Sequence, residues 1–130
     1  MNKKYLAIAA LFGALAVTLG AFGAHGLQKI TADEKILHGF NTAVQYQMYH
    51  SLALLFVAIA FEKFPAGLLK WAASFFIIGI ILFSGSLYFL TFLKTQNIPG
   101  ANIAGPVTPL GGLSFIAGWL FLFIAAVRKK

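Results

Sequence analysis

Four long apolar runs decide what this chain can be. They occupy Tyr5 to Phe22, a stretch within Ala43 to Phe61, Leu68 to Leu93, and Leu110 to Val127. A hydrocarbon core of ~30 Å asks for ~20 apolar residues per helix, and the runs approach or exceed that length. With a mean hydropathy of +0.86 and only three carboxylates, the chain has too little polar surface to clothe a soluble globule. It reads as an integral membrane protein. Strands of a membrane barrel would alternate polar with apolar residues, and an open sheet would leave edge amides unpaired in lipid, so the runs are helices. The expected fold class is an all-α membrane protein with one domain, residues 1–130. Four transmembrane helices are expected near 5–25, 32–61, 68–93 and 109–127, in a compact bundle.

Charge sets the expected orientation. Lys3, Lys4, Lys63, Lys70, Arg128, Lys129 and Lys130 flank one side, and Lys29, Lys35 and Lys94 the other. The positive-inside rule then places both termini and the short middle loop in the cytoplasm, and the two longer loops outside. The net charge of +7 is spread over helix ends and forms no single patch, which argues against nucleic acid as a partner. Lys3 and Lys4 before an apolar run mimic a secretory signal. The run exceeds the ~7 to 15 residues of a typical signal core, so it is read as a retained helix. There is no cysteine, which removes disulfides, thiol redox chemistry and thiolate metal sites.

Small residues at helical spacing, Ala9, Gly13, Ala16, Gly20 and Gly23, line one face of the first helix, with a shorter set, Gly111, Ser114 and Gly118, on the fourth. Helices in lipid associate through close van der Waals contact, so these stripes mark either packing within the bundle or a homo-oligomer interface. Thr31 followed by Glu34 has the capping-box pattern and starts the second helix near Ala32.

That second helix holds the unusual residues. His38, Asn41, Thr42, Gln45, Tyr46, Tyr49 and His50 share about half its circumference at ~100° per residue. Only the ten residues Leu52 to Phe61 are purely apolar, so Tyr46 to His50 sit below the headgroups, where polar groups are expensive and are functional hypotheses by default. Ser84, Tyr88, Thr91 and Thr95 form a matching face on the third helix. Two readings of the pair are open: a hydrogen-bonded network that fixes helix register, or a pocket for a polar molecule, ion or lipid headgroup, built from Gln45, Tyr46, Tyr49, His50, Ser84 and Tyr88. His25, in a glycine-rich helix end, joins the ligand candidates, with carbonyl bonding as its structural alternative.

Other chemistry lacks its signature. Three histidines about a dozen residues apart, without HxxxH or HExxH, make no metal motif, and no cofactor is expected. Gly20, Gly23 and Gly26 lack the spacing, preceding strand and lysine of a nucleotide loop. Ser84-Gly85-Ser86 is no nucleophile elbow, and Asp33, Glu34 and Glu62 belong to helix ends. Catalysis would have to rest on histidine and tyrosine. The linker Asn97 to Pro106 is rich in Pro and Gly, and Pro109 is expected at the first position of the fourth helix with Thr108 as its N-cap.

The strings Gly20-Ala-Phe-Gly-Ala-His-Gly-Leu27, Ala43-Val-Gln-Tyr-Gln-Met-Tyr-His50, Phe83-Ser-Gly-Ser-Leu-Tyr88 and Thr108-Pro-Leu-Gly-Gly-Leu113 resemble those of the small bacterial membrane proteins grouped as domain of unknown function 423, with a eukaryotic relative in transmembrane protein 256. The resemblance covers nearly the whole chain. It implies a four-helix inner-membrane protein and supplies no activity, substrate or catalytic residue. The leading expectation is a non-enzymatic, homo-oligomeric component that binds or passes a small polar molecule, ion or lipid headgroup. The alternatives are an enzyme on a lipid-borne substrate with His50 as acid or base, and an assembly factor docking through the Ala9/Gly13/Ala16/Gly20 groove.

Overall fold

In a computed structural model that describes residues 1–129, four long helices run alternately up and down. They are α1 (Lys3–Ile30), α2 (Glu34–Ile59), α3 (Ala66–Thr95) and α4 (Val107–Val127), with a single helical turn, Ala101–Ala104, before α4. Among the described residues there is no strand. α1, α3, and α4 taken together with the turn before it are each long and apolar enough to cross a membrane. The second helix is not among them. Its polar side chains, already the distinguishing feature of this segment in the sequence, lower its hydropathy, although at 26 residues it has the length.

Helix ends follow from local chemistry. Asn2 caps α1, its side-chain oxygen accepting from the Tyr5 N–H at 3.0 Å. α2 starts two residues later than the capping-box pattern suggests. Asp33 is its N-cap and accepts from the Lys35 N–H at 2.9 Å, while the Thr31 hydroxyl accepts from the Asp33 N–H at 3.1 Å. A carboxylate is a better partner than a hydroxyl for the positive end of a helix, and Thr31 is left to close α1. The start of α4 moves the other way, with Val107 preceding Pro109 inside the first turn. Amides of a first turn have no intrahelical acceptor, so a proline costs nothing there. Thr108 does not cap; its hydroxyl meets that of Ser86 on α3.

Contacts run between neighbours in sequence: α1 on α2, α2 on α3, α3 on α4. The Asn2 N–H donates to the Ala58 carbonyl at 2.8 Å and the Met1 ammonium meets Glu62 at 2.8 Å, pinning the chain start to the end of α2. At this end, which also holds the 60–65 turn and the end of α4, residues from all four helices share one core: Ala9, Ala53, Leu54, Val57, Leu69, Ala72, Ala73, Phe76 and Ala125. The small residues let helices approach. A side chain at Gly23 would strike the Phe40 ring, one at Gly118 would strike Phe76, and one at Gly111 would enter the backbone of Phe83. Ala9, Ala16 and Gly23 are buried, Val44 lies against Gly20, and Gly13 alone in the α1 stripe faces open space. α2 therefore fills most of that stripe from within the chain.

α3 carries a π turn over Ile80–Ser84. Its wider loop places Ser84 fully inside, where the hydroxyl donates to the Ala43 carbonyl of α2 at 2.7 Å.

Candidate functional site

The side of α2 that turns inward is the row Ala43, Gln47, His50, Ser51, Leu54 and Ala58, at three- and four-residue spacing. Gln47 is 3 % exposed and bridges three helices: its Nε2 donates to the Phe12 carbonyl of α1 at 2.8 Å, and its Oε1 accepts from the Tyr88 hydroxyl of α3 at 2.6 Å. The Ser51 hydroxyl donates to the Gln47 carbonyl at 2.6 Å, and Ser114 of α4 donates to the Phe75 carbonyl at 2.7 Å. Among the described residues no buried side-chain nitrogen or oxygen lacks a partner. Ser84, Tyr88 and Gln47 thus belong to a paired interior set in which each polar side-chain atom has a partner.

His50 sits at the edge of that row, 5 % exposed. Its Nδ1 lies 2.7 Å from the Tyr46 carbonyl, and its Nε2 3.0 Å from Nε1 of Trp119 on α4. A carbonyl only accepts and an indole N–H only donates, so the imidazole is the neutral Nδ1–H tautomer with both nitrogens engaged. Its face stacks on Phe115 with centroids 3.5 Å apart and planes 9° apart. Phe115 fits because Gly79 leaves room on α3; a β-carbon there would overlap the ring. In this arrangement the ring has no lone pair left to act as a base.

α2 and α4 both pack on α3, and little backbone contact joins them to each other. The gap is bridged at its floor by the His50, Phe115 and Trp119 rings. Above this floor lies an open groove of about 790 Å³, walled by Tyr46, Tyr49 and His50 from α2 and by Pro109, Gly112, Leu113, Phe115, Ile116 and Trp119 from α4. The size is that of a ligand site, which in proteins runs from ~300 to 1,000 Å³. The lining is ring faces and aliphatic groups. Tyr46 packs on Phe83 with centroids 4.8 Å apart and stays 39 % exposed; Tyr49 is 54 % exposed.

Of the residues singled out from the sequence, Tyr46, Tyr49 and His50 come together at the groove. Ser84 and Tyr88 belong to the interior network. Gln45 and His25 are exposed and line neither. Sequence reasoning missed Gln47, Phe115, Trp119 and Gly112. The signal for Gln47 was its place in the four-residue repeat Ala43, Gln47, Ser51; the groove residues of α4 share the spacing Pro109, Gly112, Leu113, Ile116.

These features define a helical integral membrane protein with an aromatic-floored groove between two of its helices. The chain belongs to the family described as Protein of unknown function (DUF423), which matches residues 19–112. It is similar to the UPF0382 membrane protein YwdK of Bacillus subtilis (strain 168), 42% identical over 127 residues, 97% of this chain and 98% of that protein. A UPF0382 membrane protein of Haemophilus influenzae is 40% identical over 133 residues, covering 100% of this chain and 98% of its own. The UPF0382 inner membrane protein YgdD of Escherichia coli (strain K12) is 37% identical over 131 residues, 100% and 95% of the two chains. No solved structure matches.

Proposed function

We propose that the protein is a non-enzymatic, multi-pass component of the bacterial cytoplasmic membrane that holds the apolar chain of a lipid in the α2–α4 groove. One observation carries this reading: the groove is open and ligand-sized, yet its floor offers no free polar atom, because His50 and Trp119 satisfy each other. A small polar molecule or ion would find nothing to replace its hydration there, whereas a hydrocarbon chain gains dispersion contact at little desolvation cost. Two exposed phenols, Tyr46 and Tyr49, offer hydroxyls to an ester or alcohol on the same molecule.

The length of the groove selects the occupant. From Pro109 to Trp119 it follows ten residues of α4, about 15 Å at ~1.5 Å per residue. That is half of a ~30 Å hydrocarbon core, one leaflet and not two. A transmembrane helix of a second copy would need a groove running the full depth, and this one ends where the four helices converge on the Ala9, Leu54 and Ala125 core.

Orientation completes the proposal. α1 and α3 run parallel, so the chain must return through α2, and we infer that α2 crosses despite its polar composition. Both termini and the 60–65 turn then share the side rich in Lys3, Lys4, Lys63, Lys70 and Arg128, which is cytoplasmic by the positive-inside rule. The groove opens in the outer leaflet.

Mass spectrometry of the intact protein, released from mild detergent, tests this. The wild type is expected to retain a lipid. Gly112→Leu is expected to lose it, because a β-carbon at Gly112 meets only Phe83, at 4.0 Å, leaving the fold intact while the side chain fills the groove. A lipid-free wild-type monomer, equal retention by the variant, or a lipid-free dimer seated through this face would each overturn the reading.

A further inference from the structure

At the loop end of the molecule, away from the groove along α2, two cations from different helices line one small cleft. Lys35 lies in the first turn of α2 and Lys94 in the last turn of α3. Between them the cleft is walled by Ile36, Gly39, Leu87, Leu90 and Thr91. We propose that this cleft binds the phosphate of an anionic phospholipid headgroup.

The chemistry is read from what each group has left to offer. The Thr91 hydroxyl donates to the Leu87 carbonyl at 2.9 Å, so its hydrogen is spent. The donors remaining at the rim are the two ammonium groups. The ion pair found among the described residues, Met1 with Glu62, is at the far end of the molecule. The nearest carboxylates on the same elements are Asp33 and Glu34. Asp33 is engaged in capping α2, and Glu34 borders a second depression with Leu37, His38 and Asn41, which Lys35 also lines, while among the described residues no carboxylate lines the cleft itself. Two like charges facing one narrow space repel, and an anion seated between them turns that repulsion into two attractions. Gly39 keeps the space open: nothing lies within 4 Å of where its β-carbon would stand.

Size and polarity favour a phosphate carried by a lipid. The cleft measures about 40 Å³, room for one compact anionic group and no more. Ile36, Leu87 and Leu90 form apolar wall beside the cationic rim, the pairing of surfaces that a phosphate joined to a glycerol and acyl chains presents. Lys35 and Lys94 also stand where α2 begins and α3 ends, the level at which helices of membrane-spanning length meet headgroups. A cation near a membrane surface gains from such anions, and binding through two of them adds up.

The test uses the full chain carrying Gly112→Leu, so that bound lipid reports on the cleft and not on the groove, and failure of one site leaves the other measurable. Binding of phosphatidylglycerol, phosphatidylcholine and inorganic phosphate is titrated by mass spectrometry of the intact complex, with Lys35→Ala/Lys94→Ala as the variant and a thermal melt as the fold control. Phosphatidylglycerol is expected to bind best and to weaken by about tenfold or more in the variant, with phosphatidylcholine unchanged. Lysine-dependent binding of inorganic phosphate at equal strength would overturn the lipid as its source. Phosphatidylglycerol binding unchanged by the double substitution, in a variant that melts normally, would overturn the site. If that variant fails to fold, Lys35→Gln and Lys94→Gln taken singly decide by the same comparison.

Discussion

Trp119 of α4 donates its indole hydrogen to Nε2 of His50 on α2 at 3.0 Å, across two helices whose backbones scarcely meet. This bond ties the floor of the groove and fixes the imidazole as the neutral Nδ1–H tautomer. It also explains how an ionisable side chain is carried at this depth: both nitrogens have partners, and Phe115 covers one face. Trp119→Phe keeps an aromatic ring and removes the donor together with part of the indole. It should cost about 0.6 to 1.7 kcal/mol, the range for hydrogen bonds between membrane helices, read as a lower midpoint of unfolding in detergent. A loss well beyond this would mean that the indole also supports packing on Phe76, with which it makes an edge contact at 5.2 Å.

Gln47 and Tyr88 should behave as one unit. Tyr88→Phe leaves the Gln47 carbonyl oxygen without its donor, and Gln47→Leu strands the Tyr88 hydroxyl and leaves the Phe12 carbonyl with its helical partner alone. In a double-mutant cycle the coupling should be about 1 kcal/mol, and each single substitution should destabilise. Zero coupling would contradict the interior placement of Gln47.

The glycines separate by position. Gly111→Ala forces a methyl group into the backbone of Phe83 and should destabilise by about 1 to 3 kcal/mol, as overpacking does. Gly13→Ala meets open space and should be neutral or raise stability by about 0.5 to 1 kcal/mol through helix propensity. Thermal unfolding of the two variants side by side checks the contrast.

Much of this architecture was legible in the sequence. The apolar runs of α1, α3 and α4 were sufficient, because length and hydropathy are what a bilayer selects. The inward face of α2 was not. Of the residues that stood out, Gln45, Tyr46 and Tyr49 stay exposed and His50 turns inward, whereas Gln47 and Ser51, which did not stand out, are buried beside Ala43 and Leu54. In lipid the outside is as apolar as the inside, so polarity alone does not say which way a side chain turns; small-residue spacing does. The groove was hidden for a different reason. It depends on α2 and α4 both choosing α3 as their neighbour, a long-range relation that the spacing of Pro109, Gly112, Leu113 and Ile116 on α4 does not by itself reveal.

The proposed return of α2 through the membrane is open to direct labelling, since the native chain has no cysteine. Ala32→Cys and Lys63→Cys, in the turns at the two ends of α2 and made separately, should react with a membrane-impermeant thiol reagent from opposite sides: Lys63→Cys only after the membrane is opened, Ala32→Cys in intact cells. Labelling of both from one side would contradict the crossing of α2.

Fluorescence of Trp119 tests the proposal of a lipid chain in the groove most directly. Trp71→Phe removes the other tryptophan, which is exposed and stacked on Phe75 and Phe121, and leaves the groove untouched. In bilayers of phosphatidylcholine brominated on its acyl chains, bromine near the chain end should quench Trp119 strongly, bromine near the headgroup weakly, and Gly112→Leu should relieve the quenching. Quenching that is insensitive to Gly112→Leu, or equal for both bromine positions, would contradict a chain lying along the groove with its end at Trp119.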